Sequence, residues 1–252
     1  MNEEAYGKIE SQLEANDWYF KNHDYRFRLT IDEVTKGRSG PGRILDIGCW
    51  PGYLSMYFKS QDWDVHAIDL RPDRIPLVAE AGVSLYPHNI NENPKLPFET
   101  DFFDSILFTE VFEHLDPAGF PVLFEELARI LKPGGRLILS TPNRFSLNKD
   151  LFNPFRWNEP DVDEDGHGHW KEYRLSEVLS FYEHTNLKIV KSEQIAYYAG
   201  LGRSNETGYF DLEKWREHPN KLRNFGKVLI RPLRNIPLFR DSLLVIAEKP
   251  TS

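Results

Sequence analysis

The segment Arg43-Ile-Leu-Asp-Ile-Gly-Cys-Trp-Pro-Gly-Tyr-Leu-Ser55 indicates an α/β fold, because an apolar strand leads into a turn with two glycines and then into a helix start. A second apolar stretch, Asp64-Val-His-Ala-Ile-Asp69, ends on an acidic residue about twenty positions after the turn. In an open α/β sheet, such a turn lets the backbone approach a nucleoside, and the acidic residue accepts hydrogen bonds from ribose hydroxyls. The pairing therefore predicts a nucleoside-binding site.

The spacing of the glycines argues against a dinucleotide. A dinucleotide-binding turn follows G-x-G-x-x-G, which places a pyrophosphate at the helix N-terminus. Here Gly48 and Gly52 are separated by Cys-Trp-Pro, and no third glycine follows in register. A pyrophosphate is thus a poor fit, and a smaller nucleoside ligand is favoured.

The stretches that follow the turn resemble, in order, the motifs of the class I S-adenosylmethionine-dependent methyltransferases. The turn itself matches the first motif of that family as Leu-Asp-Ile-Gly-Cys-x-x-Gly over residues 45–52. The later matches are Asn89-Ile90 and residues 96–98, 103–106, 109–115 and 131–143. Several motifs in the right order make this a specific resemblance, whereas a glycine turn alone would be a weak one.

Apolar and turn-forming patterns predict an alternation of strands and helices, and hence a mainly parallel sheet with helices on both faces. The predicted strands lie near 43–48, 64–69, 83–87, 103–108, 136–141, 187–197 and 242–248, and the helices near 53–60, 73–81, 117–131 and 175–186. The resemblance implies a Rossmann-like α/β fold with a seven-stranded mixed sheet in the order 3-2-1-4-5-7-6, its last strand antiparallel. The expected parts are an N-terminal helical cap at 1–42, a core at 43–197 plus 242–252, and an insertion at 198–241.

The resemblance also implies which residues bind S-adenosylmethionine. They are Asp46, Gly48, Cys49, Gly52, Asp69, Leu70, Asn89, Ile90 and Thr109. Two positions depart from the family pattern: Trp50 stands where a glycine is usual, and Asn89 stands where an Asp usually meets the adenine amine. The Asn89 carbonyl can still accept that hydrogen bond. These departures leave open a second hypothesis, a catalytically silent cofactor-binding module.

The residues after the fourth strand favour an oxygen acceptor. Many family members that methylate a planar nitrogen carry an Asn/Asp-Pro-Pro-aromatic motif there, whereas this chain has Thr109-Glu-Val-Phe112. An oxygen acceptor must lose its proton to a general base or have its pKa lowered by a metal. The expected enzyme is therefore an O-methyltransferase acting on a small-molecule, glycan or lipid-linked acceptor, and ubiquinone-pathway O-methyltransferases look similar here.

Glu110, Glu113 and His114 have the spacing i, i+3 and i+4, which puts them on one face if a helix begins after the fourth strand. A further histidine, His169, follows in the segment Asp165-Gly-His-Gly-His-Trp-Lys-Glu172. By resemblance to small-RNA 3′-terminal 2′-O-methyltransferases, these four residues would hold a divalent metal such as Mg²⁺ or Mn²⁺. The alternative is a metal-free site in which His114 is the base, with Glu110 and His169 as further catalytic candidates.

Charge and composition limit the partners. A net charge of −8 argues against a general nucleic-acid binder, which also weighs against the RNA hypothesis. Residues 214–240 nevertheless contain eight Lys or Arg and one Glu, interleaved with apolar residues. This segment is compatible with an insertion that packs on the domain with its basic residues solvated. The other hypothesis is an anionic or lipid-linked acceptor or peripheral membrane contact. A single cysteine and an acidic start predict a cytoplasmic protein.

Overall fold

A seven-stranded sheet forms the centre of the computed structural model, which describes residues 1–13, 17–144, 161–162, 168–195 and 242–251. Its strands are β1 (Arg43–Ile47), β2 (Asp64–Asp69), β3 (Ser84–Pro87), β4 (Phe103–Thr109), β5 (Leu131–Pro142), β8 (Lys188–Ile195) and β9 (Ser242–Glu248). Two short strands, β6 (Asp161–Val162) and β7 (Gly168–His169), form a separate antiparallel pair.

The order of the large sheet is β3-β2-β1-β4-β5-β9-β8. Strands β1 to β5 are parallel, and β9 runs antiparallel to both of its neighbours. When only the strands of this sheet are numbered, the order is the predicted 3-2-1-4-5-7-6. The predicted fold class is confirmed.

Helices cover both faces of the sheet, and alternate strand residues divide the core into two clusters. The helices are α1 (Glu3–Gln12), α2 (Asp17–Thr35), α3 (Tyr53–Ser60), α4 (Pro76–Glu80), α5 (Phe120–Ile130) and α6 (Leu175–Ser180). In β5, Ile138 packs in the cluster that contains α1 to α4, whereas Leu137 and Leu139 pack in the cluster of α5 and α6. Ser140 and Thr141 continue this alternation toward the end of the strand.

The second N-terminal helix, α2, packs on the sheet itself. Phe27, Ile31 and Val34 of α2 are at most 3% exposed and share a core cluster with Ile138 of β5 and Leu244 of β9. Burial of such side chains contributes about 1.5–3 kcal/mol each. Helix α2 thus forms a layer on this face of the sheet.

Several predicted elements have different bounds in the structure. No continuous helix runs from Glu110 to Leu131, because Glu110 has a left-handed φ of 56° and Asp116, which precedes a proline, is extended. Two 3-10 turns, Phe112–His114 and Pro117–Gly119, precede α5 instead. Helix α5 ends at Ile130, and β5 begins directly at Leu131, which pairs with Phe103.

The second predicted helix is divided into a 3-10 turn at Pro72–Arg74 and the short α4, because Pro76 starts a new helix. Helix α6 ends at Ser180, before the predicted 186. The predicted insertion at 198–241, including the basic segment 214–240, lies outside the described residues. Among the described helices, none combines the length and apolar character needed to span a membrane.

Candidate active site

The turn after β1 requires glycine at two positions for reasons of packing. Gly48 has φ 64° and Gly52 has φ 104°, both in the left-handed region. A Cβ on Gly48 would lie 2.4 Å from Cγ2 of Val111, and one on Gly52 would lie 2.3 Å from Cγ2 of Val78. The sequence predicts glycine here because a ligand approaches the backbone. In the structure, neighbouring protein side chains already exclude a Cβ at both positions.

Asp69 ties this turn to the end of β2. Its Oδ2 accepts a hydrogen bond from the Trp50 backbone N–H at 3.3 Å, and its Oδ1 accepts one from the Arg71 N–H at 2.8 Å. Each carboxylate oxygen has a second lone pair, so both can also accept from ribose hydroxyls. Leu70 beside it is 51% exposed, and Trp50 is 45% exposed. The Trp50 side chain therefore does not fill the core under the turn.

Asp46 is a buried carboxyl on the face of the sheet that carries α2 and α3. Its Oδ2 accepts a hydrogen bond of 2.6 Å from Ser55 Oγ. Burial is the main cause that raises the pKa of Asp46 to about 7; nearby Asp69 raises it further, and Ser55 and Arg26 oppose the rise. Burial likewise raises the pKa of the Cys49 thiol, so this cysteine is a neutral packing residue of the turn.

The predicted adenine contacts follow β3. Asn89 is half-buried, and its Oδ1 accepts a hydrogen bond from the Asn91 backbone N–H at 3.1 Å. Ile90 is buried, and His88 donates its backbone N–H to the Asp69 carbonyl at 3.0 Å. The Asn89 carbonyl is thus held in place and keeps one lone pair for an adenine amine.

Glu110 and Glu113 lie on opposite faces of the sheet, contrary to the predicted common helix face. Glu110 Oε1 accepts a hydrogen bond from Ser140 Oγ at 3.0 Å, and its Oε2 forms an ion pair of 3.5 Å with Arg26 of α2. Glu113 is 1% exposed, and its Oε2 accepts a hydrogen bond of 2.9 Å from Thr141 Oγ1. Thr109, the half-buried last residue of β4, pairs with Ser140 between them.

Glu113, His114 and His169 form a cluster in which each residue offers a ligand atom within 4.8 Å of the others. His114 Nδ1 lies 2.6 Å from the Gly168 carbonyl oxygen, which can only accept, so Nδ1 carries the proton. In the neutral ring, the lone pair is then on Nε2, which lies 3.9 Å from Glu113 Oε1. Glu110 is not part of this cluster, so three of the four predicted metal ligands are brought together.

Backbone contacts hold the segment after β7 against this cluster. Trp170 and Lys171 donate their backbone N–H groups to the Glu113 carbonyl at 2.7 and 3.3 Å. His169 Nδ1 lies 3.6 Å from Oε1 of Glu172. The donor set of one carboxylate and two imidazoles fits a divalent transition metal, and a carboxylate beside a ligating histidine, like Glu172 beside His169, is typical of such sites.

Three residues that contact the carboxylates at this edge were not predicted from the sequence as site residues: Arg26, Ser140 and Thr141. Arg26 is 2% exposed and comes from α2, far from the motifs in sequence. A signal did exist, because the buried polar residues of α2 recur at helical spacing beside its apolar stripe. They are His23, Arg26, Thr30 and Glu33.

Comparisons with known proteins agree with this geometry. A family model described as a methyltransferase domain matches residues 19–192. A ubiquinone biosynthesis O-methyltransferase from Burkholderia ambifaria is 30% identical over 197 residues, covering 73% of this chain and 83% of that protein. One of the same name from Xylella fastidiosa is 38% identical over 123 residues, or 46% of this chain, and the match spans about half of that relative, 48% of its length.

The fold is shared with a solved S-adenosylmethionine-dependent methyltransferase from Archaeoglobus fulgidus. The TM-score is 0.60 at 19% identity, with 97% of this chain and 99% of that chain covered. At this identity the likeness concerns the fold alone. The family match and the relative from Burkholderia, in contrast, cover most of the chain in sequence. This chain belongs to the class I S-adenosylmethionine-dependent methyltransferase family.

Proposed function

We propose that this protein transfers a methyl group from S-adenosylmethionine to a hydroxyl of a small-molecule, glycan or lipid-linked acceptor. The observation that carries the proposal is the hydrogen bond between His114 Nδ1 and the Gly168 carbonyl. It fixes the tautomer that can accept a proton at Nε2, at the carboxyl edge of the sheet where doubly wound folds bind ligands.

When bound, the cofactor supplies a methyl group already activated by its sulfonium. The protein must then orient the acceptor and remove the proton of its hydroxyl. His114 Nε2 takes that proton, and Glu113 stabilises the resulting imidazolium from 3.9 Å. Because Glu113 is almost fully buried, its charge is screened little by water, and its effect on the imidazolium is correspondingly large.

The opposite face of the sheet fits the cofactor. Asp69 offers both carboxylate oxygens to the ribose, and the Asn89 carbonyl faces the adenine amine in this proposal. The methionine part carries one ammonium and one carboxylate. The Arg26–Glu110 pair supplies charges of both signs on the face of α2 and α3, and Asp46 adds a carboxyl group whose pKa is about 7. The departure at Asn89 is therefore compatible with binding.

The names of the relatives from Xylella and Burkholderia support an oxygen acceptor. The absence of the nitrogen-directed motif at Thr109–Phe112 supports the same choice. Trp170, 36% exposed and next to His169, offers an apolar surface to the acceptor. The basic segment 214–240 supports an acceptor with an anionic or lipid-linked group, or contact with a membrane surface.

A metal-assisted form of the same reaction is favoured by the cluster of Glu113, His114 and His169. A metal held there would lower the pKa of the acceptor hydroxyl in place of a protein base. Two imidazoles among three donors suit Mn²⁺ better than Mg²⁺, which prefers oxygen ligands. The RNA 3′-end alternative loses support, because Glu110 lies with Arg26 rather than with the other predicted ligands.

The experiment combines calorimetry with turnover. S-adenosylmethionine is titrated into the wild type and into Asp69→Ala, and methyl transfer is then assayed on catechols, glycans, lipid-linked diols and RNA 3′ ends. We expect binding that weakens at least about tenfold in Asp69→Ala, because a carboxylate that accepts two hydroxyl hydrogen bonds is lost. Binding without turnover on any acceptor would favour the silent module, and absence of binding would overturn the proposal.

A further inference from the structure

Two adjacent hydroxyl residues near the end of β5, Ser140 and Thr141, hold the two carboxylates of the edge. Both are fully buried and, as neighbours in a strand, they project to opposite faces of the sheet. Ser140 donates to Glu110 on the face of α2, and Thr141 donates to Glu113 on the face of α5 and α6. The alternation of β5 therefore directs one hydroxyl to each carboxylate, on opposite faces of the sheet.

We propose that Thr141 is a positioning residue, which acts on the reaction through Glu113 and does not touch the acceptor. This inference rests on the proposed role of His114. The Thr141 hydroxyl binds Oε2 of Glu113 at 2.9 Å, and the other oxygen, Oε1, is the one that faces His114 Nε2 at 3.9 Å. A hydrogen bond to one carboxylate oxygen restricts the rotation of the group, so Thr141 helps to set where Oε1 points.

Burial makes this hydrogen bond important for orientation. Glu113 is 1% exposed, so water cannot replace the Thr141 hydroxyl as a donor to Oε2. Without that donor, the carboxylate loses one of the contacts that fix its rotation, and its distance to His114 changes. The backbone of Glu113 is held independently, because its carbonyl accepts from the Trp170 and Lys171 N–H groups. Loss of Thr141 thus changes mainly the carboxylate.

The test compares Thr141→Val, which keeps the shape but removes the hydroxyl, with Thr141→Ser, which keeps the hydroxyl. The probe is the ring Cε1–H resonance of His114 in ¹³C-histidine-labelled, metal-free protein at fixed pH, assigned with His114→Gln. We expect this resonance to move in Thr141→Val and to stay near its wild-type position in Thr141→Ser. On an acceptor that is turned over, kcat falls about 10- to 100-fold in Thr141→Val, with KM nearly unchanged.

Ser140→Ala is the matched control, since it removes the neighbouring hydroxyl on the other face. It is expected to weaken S-adenosylmethionine binding, through Glu110 and Arg26, and to leave the His114 resonance in place. Thr141→Val should keep the cofactor dissociation constant within about twofold. Failure of the wild type to bind cofactor would contradict the proposed function alone, because the His114 resonance is measured without cofactor.

A double variant covers the case in which Thr141→Val does not fold because the buried charge of Glu113 has lost its donor. Glu113→Gln removes the buried charge, and adding Thr141→Val to it should cause no further shift of the His114 resonance if Thr141 acts through the carboxylate. An unmoved His114 resonance in folded Thr141→Val would overturn the inference. A shift of equal size in Thr141→Ser, in Ser140→Ala, or on top of Glu113→Gln would also overturn it.

Discussion

The Nδ1 atom of His114 lies 2.6 Å from the carbonyl oxygen of Gly168, and this hydrogen bond joins the turn after β4 to strand β7. It fixes the tautomer of His114 and brings the neighbouring residue His169 to within 4.8 Å between ring centroids. The candidate catalytic groups are therefore assembled by two segments that lie more than fifty residues apart in sequence.

Replacement of His114 by Gln should lower kcat for methyl transfer about 10²- to 10⁴-fold, because the acceptor loses its general base. Cofactor affinity should stay close to that of the wild type, since Asp69 and the β1 turn are untouched. His184→Gln, an exposed histidine away from the edge, is the control and should keep full activity. Equal activity of wild type and His114→Gln would contradict the role of this base.

Gly52→Ala should destabilise the fold by about 1–3 kcal/mol, because the added Cβ overlaps Val78 and the residue needs a left-handed φ. Gly7→Ala in α1 is the matched control, since a Cβ there meets nothing within 4 Å. Alanine favours a helix by about 1 kcal/mol over glycine, so this variant should be more stable than the wild type. Urea unfolding measures both changes, and a Gly52→Ala protein of wild-type stability would refute the packing explanation.

The raised pKa of Asp46 should make the free energy of unfolding depend on pH. Its pKa is about 7 in the folded protein and near the ordinary value of 3.8 when unfolded. Between these values the folded state holds the proton and the unfolded state does not, so this residue lowers the free energy of unfolding as the pH rises from 4 to 7. Above pH 7 the decrease in the free energy of unfolding that is due to Asp46 is complete and no longer changes with pH.

Asp46→Asn removes this contribution and serves as the comparison. The measured quantity is the free energy of unfolding of the variant minus that of the wild type. This difference should increase from pH 4 to pH 7, by on the order of a few kcal/mol, and then level off. Urea denaturation at several pH values measures this difference. A difference that is flat, or that falls with pH, would show that Asp46 does not titrate as described.

Mn²⁺ binding tests the metal-assisted form. Electron paramagnetic resonance should detect one bound Mn²⁺, and Glu113→Ala and His169→Ala should each weaken it at least about tenfold. Glu110→Ala should keep the wild-type affinity, because Glu110 lies with Arg26 and Ser140. Unchanged activity in excess EDTA, together with no detectable Mn²⁺ binding, would leave only the metal-free base mechanism.

Local parts of the site could be predicted from the sequence, whereas contacts between distant segments could not. The β1 turn and Asp69 followed from the sequence because they form one local strand, turn and strand unit. The separation of Glu110 from Glu113 did not, since it depends on a left-handed backbone at Glu110 and on the register between β4 and β5. Arg26 was missed for a similar reason: its ion pair with Glu110 exists only after α2 packs on the sheet.

The most direct test is transfer of a ¹³C-methyl group from labelled S-adenosylmethionine to a panel of hydroxyl-bearing acceptors, followed by NMR of the products. We expect a methyl ether signal with the wild type and its near-complete loss in His114→Gln, although both proteins bind the cofactor equally. A methylated nitrogen or carbon, or a methyl ether formed equally well by His114→Gln, would contradict this expectation.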